Sequence, residues 1–368
     1  MNYDEALNFI YSKQRLGSMP GLSRIEKLLK EMGDPQNNLQ IIHIAGMNGK
    51  GTVSNSIANA LIKAGYKVGL FTSPWVIDYR EQLQLNGEFI SKENFAKYVT
   101  EYQNAEATEF ELVTAIMYKY FSDSKVDYAV VECGMGGKGD ATNAINQSLI
   151  SVITSVAIDH TDFLGETLEE IAEQKAGIIK KNGVCVLYPN PNCQEVFEKK
   201  CGELDAKLIY VNEQNDYQKN NIATADAVLR ELNIDVKAEQ PILPARQEII
   251  NGIMLDGAHN VDGALALKKN LPDEKISAII GMMKDKDIDG YLSHIAPLCD
   301  MIITVTPSNP RALSANELAE IASKYCDKVI CCNSITSALD LLKKQDSFKL
   351  ICGSFYLARD IRKELFSL

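Results

Sequence analysis

Short apolar runs alternate with amphipathic segments along almost the whole chain of 368 residues. The runs have the length of buried strands, and the segments between them repeat apolar positions at helical spacing. This alternation predicts an α/β protein with a mostly parallel sheet. In the first half the predicted strands are QIIHIAG, KVGLFTS, DYAVVECG, LISVITSVAI, GVCVLYP and KLIYV, and the predicted helices are TVSNSIANALIKAGY, FELVTAIMYKYF and TLEEIAEQKAGIIKK.

A polar segment with two prolines, DVKAEQPILPARQ, interrupts the pattern before it resumes. We therefore predict two domains, residues 1–240 and residues 241–368, of which the second is a smaller doubly wound α/β domain. Its predicted strands are IIGMM, MIITVT, KVICCN and KLICGS, with KVICCN as a buried strand, and its predicted helices are GYLSHIAPLC, SANELAEIASKYC and SITSALDLLKKQ.

The stretch AGMNGKGT lies between a predicted strand and a predicted helix, where open α/β sheets bind ligands. It departs from the usual G-x-x-x-x-G-K-[ST] phosphate loop, because only two residues separate Gly46 from Gly49 and Gly51 separates Lys50 from Thr52. Backbone N–H groups at the helix start still favour an anion, Lys50 adds a positive charge, and Thr52 can reach a metal ion. The alternative is a glycine-rich turn with a surface lysine.

Polar side chains also follow other predicted strands. Glu132 ends an apolar strand, as the acidic residues that hold Mg²⁺ do in nucleotide hydrolases. Ser73 could offer an oxygen to the same ion, and His160 follows the next strand. The structural alternatives are a solvated strand end for Glu132, a structural histidine for His160, and a loop anchor for Trp75, which could otherwise be a stacking surface.

Two further segments combine helix-start signals with candidate chemistry. Thr167 and Glu170 predict a capping box for the helix that carries Lys175, a lysine that would ordinarily be solvated. In IMLDGAHNVDGALALKK, Asp256 would suit a ribose or a cation, and His259 could contact a carboxylate. The structural alternative there is a polar helix start with Asn260 as the N-cap.

The composition narrows the classes of function. A net charge of −11 with no basic stripe argues against nucleic-acid binding, so local groups would have to hold any phosphate-bearing ligand. No apolar run approaches the roughly 18 residues of a membrane span, and the start MNYDEALNFIYSKQ lacks an export signal. Nine cysteines without a C-x-x-C pair fit reduced thiols, so we expect a soluble cytoplasmic protein.

Taken together, these stretches resemble one family over nearly the whole chain. It comprises the folylpolyglutamate synthases and the bifunctional dihydrofolate/folylpolyglutamate synthases of the Mur ligase superfamily, whose phosphate loop has the form G-x-N-G-K-G-[ST]. The resemblance rests on the order and spacing of YSKQRLGSMPGLSRIEKLLKEMGDPQ, AGMNGKGT, FTSP, VECGMGGKGDATN, IDHTDFLGETLEEIAEQKAGI, DGAHN, SNPRALS and GSFYL.

The resemblance assigns roles by position, including a carbamylated lysine at Lys175 that helps to bind a second magnesium ion. Nucleotide would be clamped between the two domains, and substrate contacts are implied for Trp75, His259 and Ser354. Lys50, Lys175 and His259 are the residues expected to act in catalysis. The expected ATP-binding residues are Asn48, Gly49, Lys50, Gly51, Thr52, Asn221, Arg246 and Asp256, and the expected metal-binding residues are Thr52, Ser73, Glu132, His160 and Lys175.

Several positions depart from the family pattern. Met47 replaces a threonine of the loop, Trp75 a histidine, Gln174 a glutamate before the lysine, and Val261 a proline. PARQE stands for P-G-R-x-E, and the chain is shorter than typical members between GVCVLYP and Asn221. None of these changes removes a group that binds phosphate or metal, so they bear on substrate identity more than on reaction type.

The implied reaction is an ATP- and Mg²⁺-dependent ligation of L-glutamate to a reduced folate or to dihydropteroate. ATP would phosphorylate the acceptor carboxylate, and the amino group of glutamate would attack the acyl phosphate while domain closure excludes water. The family is usually monomeric. The alternatives are a sister ligase that acts on a UDP-linked precursor, a P-loop NTPase without ligase activity, a non-catalytic nucleotide-binding module, and a dihydrofolate synthase.

Overall fold

The computed structural model describes residues 1–13, 21–159 and 161–366. Contacts divide the chain into two units. The first comprises Met1–Trp75 and Tyr79–Pro241, and the second comprises Val76–Asp78 and Ile242–Leu368. Each unit contains one sheet, so each has its own core.

The sheet of the first unit has eight strands within the described residues, in the order β4-β3-β2-β5-β1-β6-β7-β8. Its strands pair in parallel except for β2 with β3 and β3 with β4, which are antiparallel. The strands are β1 Ile41–Ala45, β2 Val68–Phe71, β3 Leu83–Leu85, β4 Glu88–Phe89, β5 Tyr128–Glu132, β6 Ile150–Ile153, β7 Val184–Leu187 and β8 Lys207–Tyr210.

Helices cover both faces of this sheet, which explains why its central strands are apolar throughout. Along β1, Ile41 belongs to one hydrophobic cluster, whereas Ile42 and Ile44 belong to a cluster on the other face. The helices are α1 Tyr3–Lys13, α2 Ser23–Glu31, α3 Lys50–Lys63, α4 Lys92–Glu101, α5 Glu109–Asp123, α6 Thr161–Leu164, α7 Leu168–Ala176, α8 Gln194–Glu203 and α9 Tyr217–Glu231.

The second unit has a six-stranded sheet within the described residues, in the order β13-β12-β11-β14-β10-β9. It is parallel except for the hairpin of β9 and β10. The strands are β9 Glu248–Ile250, β10 Ile253–Leu255, β11 Ile276–Ile280, β12 Cys299–Thr304, β13 Val329–Cys331 and β14 Phe348–Cys352, and the helices are α10 Val261–Lys268, α11 Ile288–Ile295, α12 Ala315–Ala322, α13 Ile335–Lys343 and α14 Phe355–Phe366.

The predicted α/β class with mostly parallel sheets is confirmed. The predicted capping box is also confirmed, because the Thr167 side chain accepts the backbone N–H of Glu170 and the Glu170 side chain accepts that of Thr167. Asn260 is the N-cap of α10, with its side chain accepting the Gly263 N–H. In both cases the hydrogen-bonded residues lie three positions apart, so a short sequence motif is enough to predict the helix start.

Three predictions about strands are wrong in detail. The predicted strand IIGMM, residues 279–283, overlaps β11 only at Ile279 and Ile280, because the strand is Ile276–Ile280. KVICCN is not a buried strand, because β13 lies at the edge of its sheet and Cys331 is exposed. LISVITSVAI pairs only over Ile150–Ile153, because the chain leaves the sheet at Thr154. In the part of the chain that the structure describes, no helix is both long enough and apolar enough to cross a membrane.

Candidate active site

The phosphate-loop stretch lies between the end of β1 and the start of α3. Gly49 is the N-cap of α3 and has φ +86°, a left-handed conformation that glycine adopts without a steric penalty. Lys50, Gly51 and Thr52 form the first turn of the helix, where backbone N–H groups have no intrahelical partner. The predicted strand-loop-helix arrangement is therefore present, and it can bind an anion at the helix start.

The Lys50 side chain folds back over its own loop. Its Nζ donates to the carbonyl oxygens of Met47, at 3.2 Å, and Gly46, at 3.4 Å. The same Nζ lies 3.9 Å from Oε1 of Glu132, and the lysine side chain is 16% exposed. The ammonium group is thus held in place, with part of its surface open to a ligand.

Glu132 ends β5, the strand next to β1. Its side chain is 4% exposed, and its Oε2 accepts the Ser73 backbone N–H at 3.3 Å. A carboxylate buried to this degree needs hydrogen-bond donors or a cation to compensate for lost hydration. Glu132, Lys50 and Ser73 therefore form one polar cluster at the carboxyl edge of the sheet.

The oxygen donors near the loop suit Mg²⁺, which prefers oxygen ligands, keeps several waters and shares its coordination with substrate phosphates. They are the Glu132 carboxylate and the hydroxyl groups of Ser73 and Thr52. Among the residues that the structure describes, no three His, Cys, Asp or Glu side chains form a cluster that could hold a metal ion. An ion held by the Glu132, Ser73 and Thr52 oxygens would complete its coordination with waters and phosphates. His160 lies outside the described residues.

Lys175 reaches the same loop from α7. The residue is 1% exposed, and its Nζ donates to the Gly46 carbonyl oxygen at 3.1 Å. Burial, followed by repulsion from the Lys50 charge, lowers the pKa of Lys175 to about 7. Two lysines thus converge on one carbonyl, and the lowered pKa shifts Lys175 toward its neutral form.

Asn221 packs its amide against the loop from α9. The residue is 4% exposed, and an ideal Cβ on Gly49 would lie 2.5 Å from its Oδ1. A side chain at position 49 would have to displace the Asn221 amide, and the left-handed backbone adds to that cost. The first unit therefore brings the loop, Ser73, Glu132, Lys175 and Asn221 together.

Trp75 makes a different kind of contact. It is partly buried against the hydrophobic cluster around α5, and its ring meets Tyr79 edge-on with centroids 5.9 Å apart. This packing favours the loop-anchor interpretation over an open stacking surface.

In the second unit, Asp256 and His259 follow β10, Ser354 follows β14, and Arg246 precedes β9. Asp256 accepts the backbone N–H groups of Ala258 at 2.7 Å and Gln247 at 3.0 Å. Burial raises its pKa, although the nearby Arg246 charge and these hydrogen bonds act in the opposite direction. The unit therefore places Arg246 and Asp256 close enough to interact electrostatically.

His259 and Ser354 have defined hydrogen bonds of their own. His259 Nδ1 lies 2.9 Å from the Gly257 carbonyl oxygen, which can only accept, so Nδ1 carries the proton and the lone pair of the neutral ring is on Nε2. Ser354 is 2% exposed, and its Oγ accepts the Leu357 N–H at the start of α14. Its hydroxyl proton can still be donated.

Phe355 is a residue that the sequence analysis did not single out. The Arg246 guanidinium lies over its ring, 4.2 Å from the centroid, and the His259 ring meets it edge-on at 5.8 Å. An ideal Cβ on Gly257 would be 2.2 Å from the same ring. The available signal was the motif GSFYL, in which only the serine received a role.

Thr154 and Ser155 were also missed. Ser155 hydrogen-bonds to the backbone of the phosphate loop, and an ideal Cβ on Gly46 would lie 1.8 Å from Thr154 Oγ1. The available signal was a pair of hydroxyl residues near the end of an otherwise apolar run.

Comparisons with known proteins extend over both units. The family described as "Mur ligase middle domain" matches residues 44–266, and "Mur ligase, glutamate ligase domain" matches residues 245–355. A folylpolyglutamate synthase of Lacticaseibacillus casei is 32% identical, with 99% of each chain covered. E. coli FolC in complex with DHPP and ADP has a TM-score of 0.89 at 26% identity, over 98% of each chain.

A second solved structure is that of a bifunctional folylpolyglutamate synthase/dihydrofolate synthase with Mn, AMPPNP and L-glutamate bound. It has a TM-score of 0.88 at 26% identity and covers 100% of this chain and 98% of that one. The similarity thus spans the whole length of both proteins.

Proposed function

The chain belongs to the folylpolyglutamate synthase and dihydrofolate synthase family of Mur ligases. From that premise we propose that it is an ATP-dependent ligase that joins L-glutamate to a folate carboxylate. The observation that carries the proposal is the convergence of Lys50, Lys175 and Glu132 on the phosphate loop. The Lys50 ammonium and the buried Glu132 carboxylate beside a helix start suit a triphosphate that binds with a divalent ion, and Lys175 lies against the same loop.

A carboxylate is a poor electrophile and must be activated before an amine can attack it. We assign this activation to transfer of the γ-phosphoryl group of ATP, which yields an acyl phosphate and ADP. Lys50 stabilises the charge on the transferred group, because its Nζ is held beside the loop by two carbonyl oxygens. Mg²⁺, held by Glu132, Ser73 and Thr52, would neutralise phosphate charge when bound.

The second half of the reaction forms the amide. The amino group of glutamate attacks the acyl carbon, a tetrahedral intermediate forms, and inorganic phosphate leaves as the amine loses a proton. We assign His259 to this half, because the hydrogen bond from its Nδ1 to Gly257 leaves Nε2 as the proton-accepting nitrogen. Arg246 and Asp256 are assigned to the nucleotide.

We further propose that Lys175 is carbamylated. Reaction with CO₂ requires a neutral amine, and burial lowers the pKa of this lysine to about 7. The product is an anionic oxygen ligand of the kind that Mg²⁺ prefers. Intact-mass measurement with and without bicarbonate, and the dependence of activity on bicarbonate, would test the assignment.

The decisive experiment combines a panel of acceptors with a pair of variants. Purified protein, MgATP and L-glutamate are incubated with dihydropteroate, tetrahydrofolate, a methylene folate or a UDP-muramyl acceptor, and ADP release and product mass are recorded. We expect Lys50→Ala to abolish ligation without changing the melting temperature greatly. Lys63→Ala, on the last turn of the same helix, is the matched control and should retain full activity.

The alternatives give different results in this assay. Near-normal turnover by Lys50→Ala would contradict the assignment of the loop, and ADP release without any need for glutamate would favour an NTPase. Product formed from dihydropteroate would establish dihydrofolate synthase as a further activity, which the bifunctional structural relative makes a specific candidate. We also propose a cytoplasmic location, which the nine free cysteine thiols support.

A further inference from the structure

The chain that follows β6 forms one wall of the phosphate loop. After Ile153, the Thr154 N–H donates to the Ala45 carbonyl oxygen at 2.8 Å, so the two segments continue side by side beyond the sheet. The next residue, Ser155, accepts the Met47 N–H on its carbonyl oxygen at 2.6 Å. Its side chain then contacts the loop directly.

The Ser155 hydroxyl binds both main-chain groups of a single loop residue. Its oxygen accepts the Asn48 N–H at 3.2 Å, and it donates to the Asn48 carbonyl oxygen, also at 3.2 Å. The partners are 107 residues apart in the chain. One small side chain therefore holds the peptide planes on both sides of Asn48.

These hydrogen bonds also set the direction of the neighbouring peptide groups, because the carbonyl and the N–H of a planar trans peptide point in opposite directions. Because the Asn48 carbonyl faces Ser155, the Gly49 N–H is turned away from it, toward the other side of the loop. Because the Asn48 N–H also faces Ser155, the Met47 carbonyl is turned away as well. That carbonyl is the one that holds Lys50 Nζ at 3.2 Å.

Ser155 thus orients two groups that bind phosphate, the Gly49 N–H and the Lys50 ammonium. It does so through the backbone of Asn48 and does not contact either group itself. Thr154 completes the wall, since it is fully buried and its hydroxyl fills the space beside Gly46. We propose that Ser155 is a positioning residue for ATP, which fixes the direction of the loop groups that receive the phosphates. The proposal rests on the proposed function in that it takes ATP as the ligand of this loop.

The test is Ser155→Ala compared with Ser151→Ala. The two serines lie four residues apart on the same segment, and each donates its hydroxyl proton to a backbone carbonyl oxygen. For Ser151 this is the carbonyl oxygen of Ile178, at 2.9 Å. The Ser151 bond lies away from the loop, so Ser151→Ala reports the stability cost of losing such a hydroxyl. Ser155→Thr retains the hydroxyl and is the conservative variant.

We expect Ser155→Ala to raise the KM for ATP and the Kd for MgADP about ten-fold, since one side chain with two hydrogen bonds is lost. The KM for glutamate and for the folate acceptor should stay within about two-fold. Ser155→Thr should restore nucleotide affinity, and Ser151→Ala should lower the melting temperature without changing the Kd for MgADP. A merely structural role would make the two alanine variants behave alike.

Equal MgADP affinity in Ser155→Ala and the unchanged protein would overturn the proposal while leaving the ligase assignment intact. A rise in Kd that Ser151→Ala matches would overturn it too, because the effect would then be one of stability. If the unchanged protein binds no MgADP in the same titration, both the positioning role and the proposed function fail.

Discussion

Adding a methyl group at Gly49 tests how closely the phosphate loop is fitted against α9. The residue has φ +86°, and an ideal Cβ would lie 2.5 Å from Oδ1, 3.1 Å from Cγ and 3.2 Å from Nδ2 of Asn221. Gly65 offers a matched control at the other end of the same helix. It has φ +91°, and an added Cβ there would meet nothing within 4 Å.

The two variants share one cost and differ in another. Placing alanine in the left-handed region costs roughly 1–2 kcal/mol at either position. Gly49→Ala additionally displaces the Asn221 amide, which is 4% exposed and so cannot simply turn into solvent. Forcing extra atoms into a closely packed site costs about 1–3 kcal/mol. We therefore expect Gly49→Ala to be destabilised by about 1–3 kcal/mol more than Gly65→Ala.

Urea unfolding and MgATP titration measure the two consequences separately. Gly65→Ala should lose stability and keep its KM for ATP, because its Cβ lies in open space. Gly49→Ala should lose more stability and raise the KM for ATP by roughly ten-fold or more, since Asn221 is assigned to the nucleotide. Equal stability and equal KM in the two variants would refute the reasoning that the loop and α9 are fitted to each other.

Two further predictions concern buried titratable groups. The pKa of Lys175 falls to about 7 from an ordinary 10.5 mainly through burial, so between these values the unfolded chain binds more protons and stability rises with pH. Lys175→Met should therefore melt higher than the unchanged protein at pH 6 in CO₂-free buffer, and this advantage should shrink by pH 10; a constant difference would contradict the pKa. The pKa of His43 falls to about 3 from 6.5 through burial and the Lys180 charge, so stability should fall as pH drops through this interval. In urea unfolding between pH 7 and pH 4.5, the free energy of unfolding of His43→Gln should depend less on pH than that of the unchanged protein. An equal pH dependence in the two proteins would mean that other groups cause it.

Local signals in the sequence predicted most of the fold. Strand-length apolar runs and helical spacing identified the central strands, because a parallel sheet covered on both faces requires apolar residues along the whole strand. The short edge elements were harder, since β3 and β4 have three and two residues and little periodicity. β13 was misread as buried because an apolar run resembles a central strand even when it lies at an edge.

The candidate site was predictable where a single residue follows a strand. Glu132 was identified in this way, because the carboxyl ends of parallel strands share one edge of the sheet. Ser155 and Phe355 also lie just after strands, but the same reasoning could not assign them their contacts. Their contacts depend on which atom of a residue faces which backbone group across the fold, and neither periodicity nor spacing specifies that. Ser155 and Asn48, for example, are 107 positions apart in the sequence.

The charges around Gly46 show why a protein with a net charge of −11 can receive a triphosphate. Lys50 and Lys175 both donate to the Gly46 carbonyl oxygen, at 3.4 Å and 3.1 Å, and the Glu132 carboxylate lies 3.9 Å from Lys50. Mutual repulsion between the two lysines contributes to the low pKa of Lys175. Local arrangement, rather than the overall field of the protein, therefore determines where the anion binds.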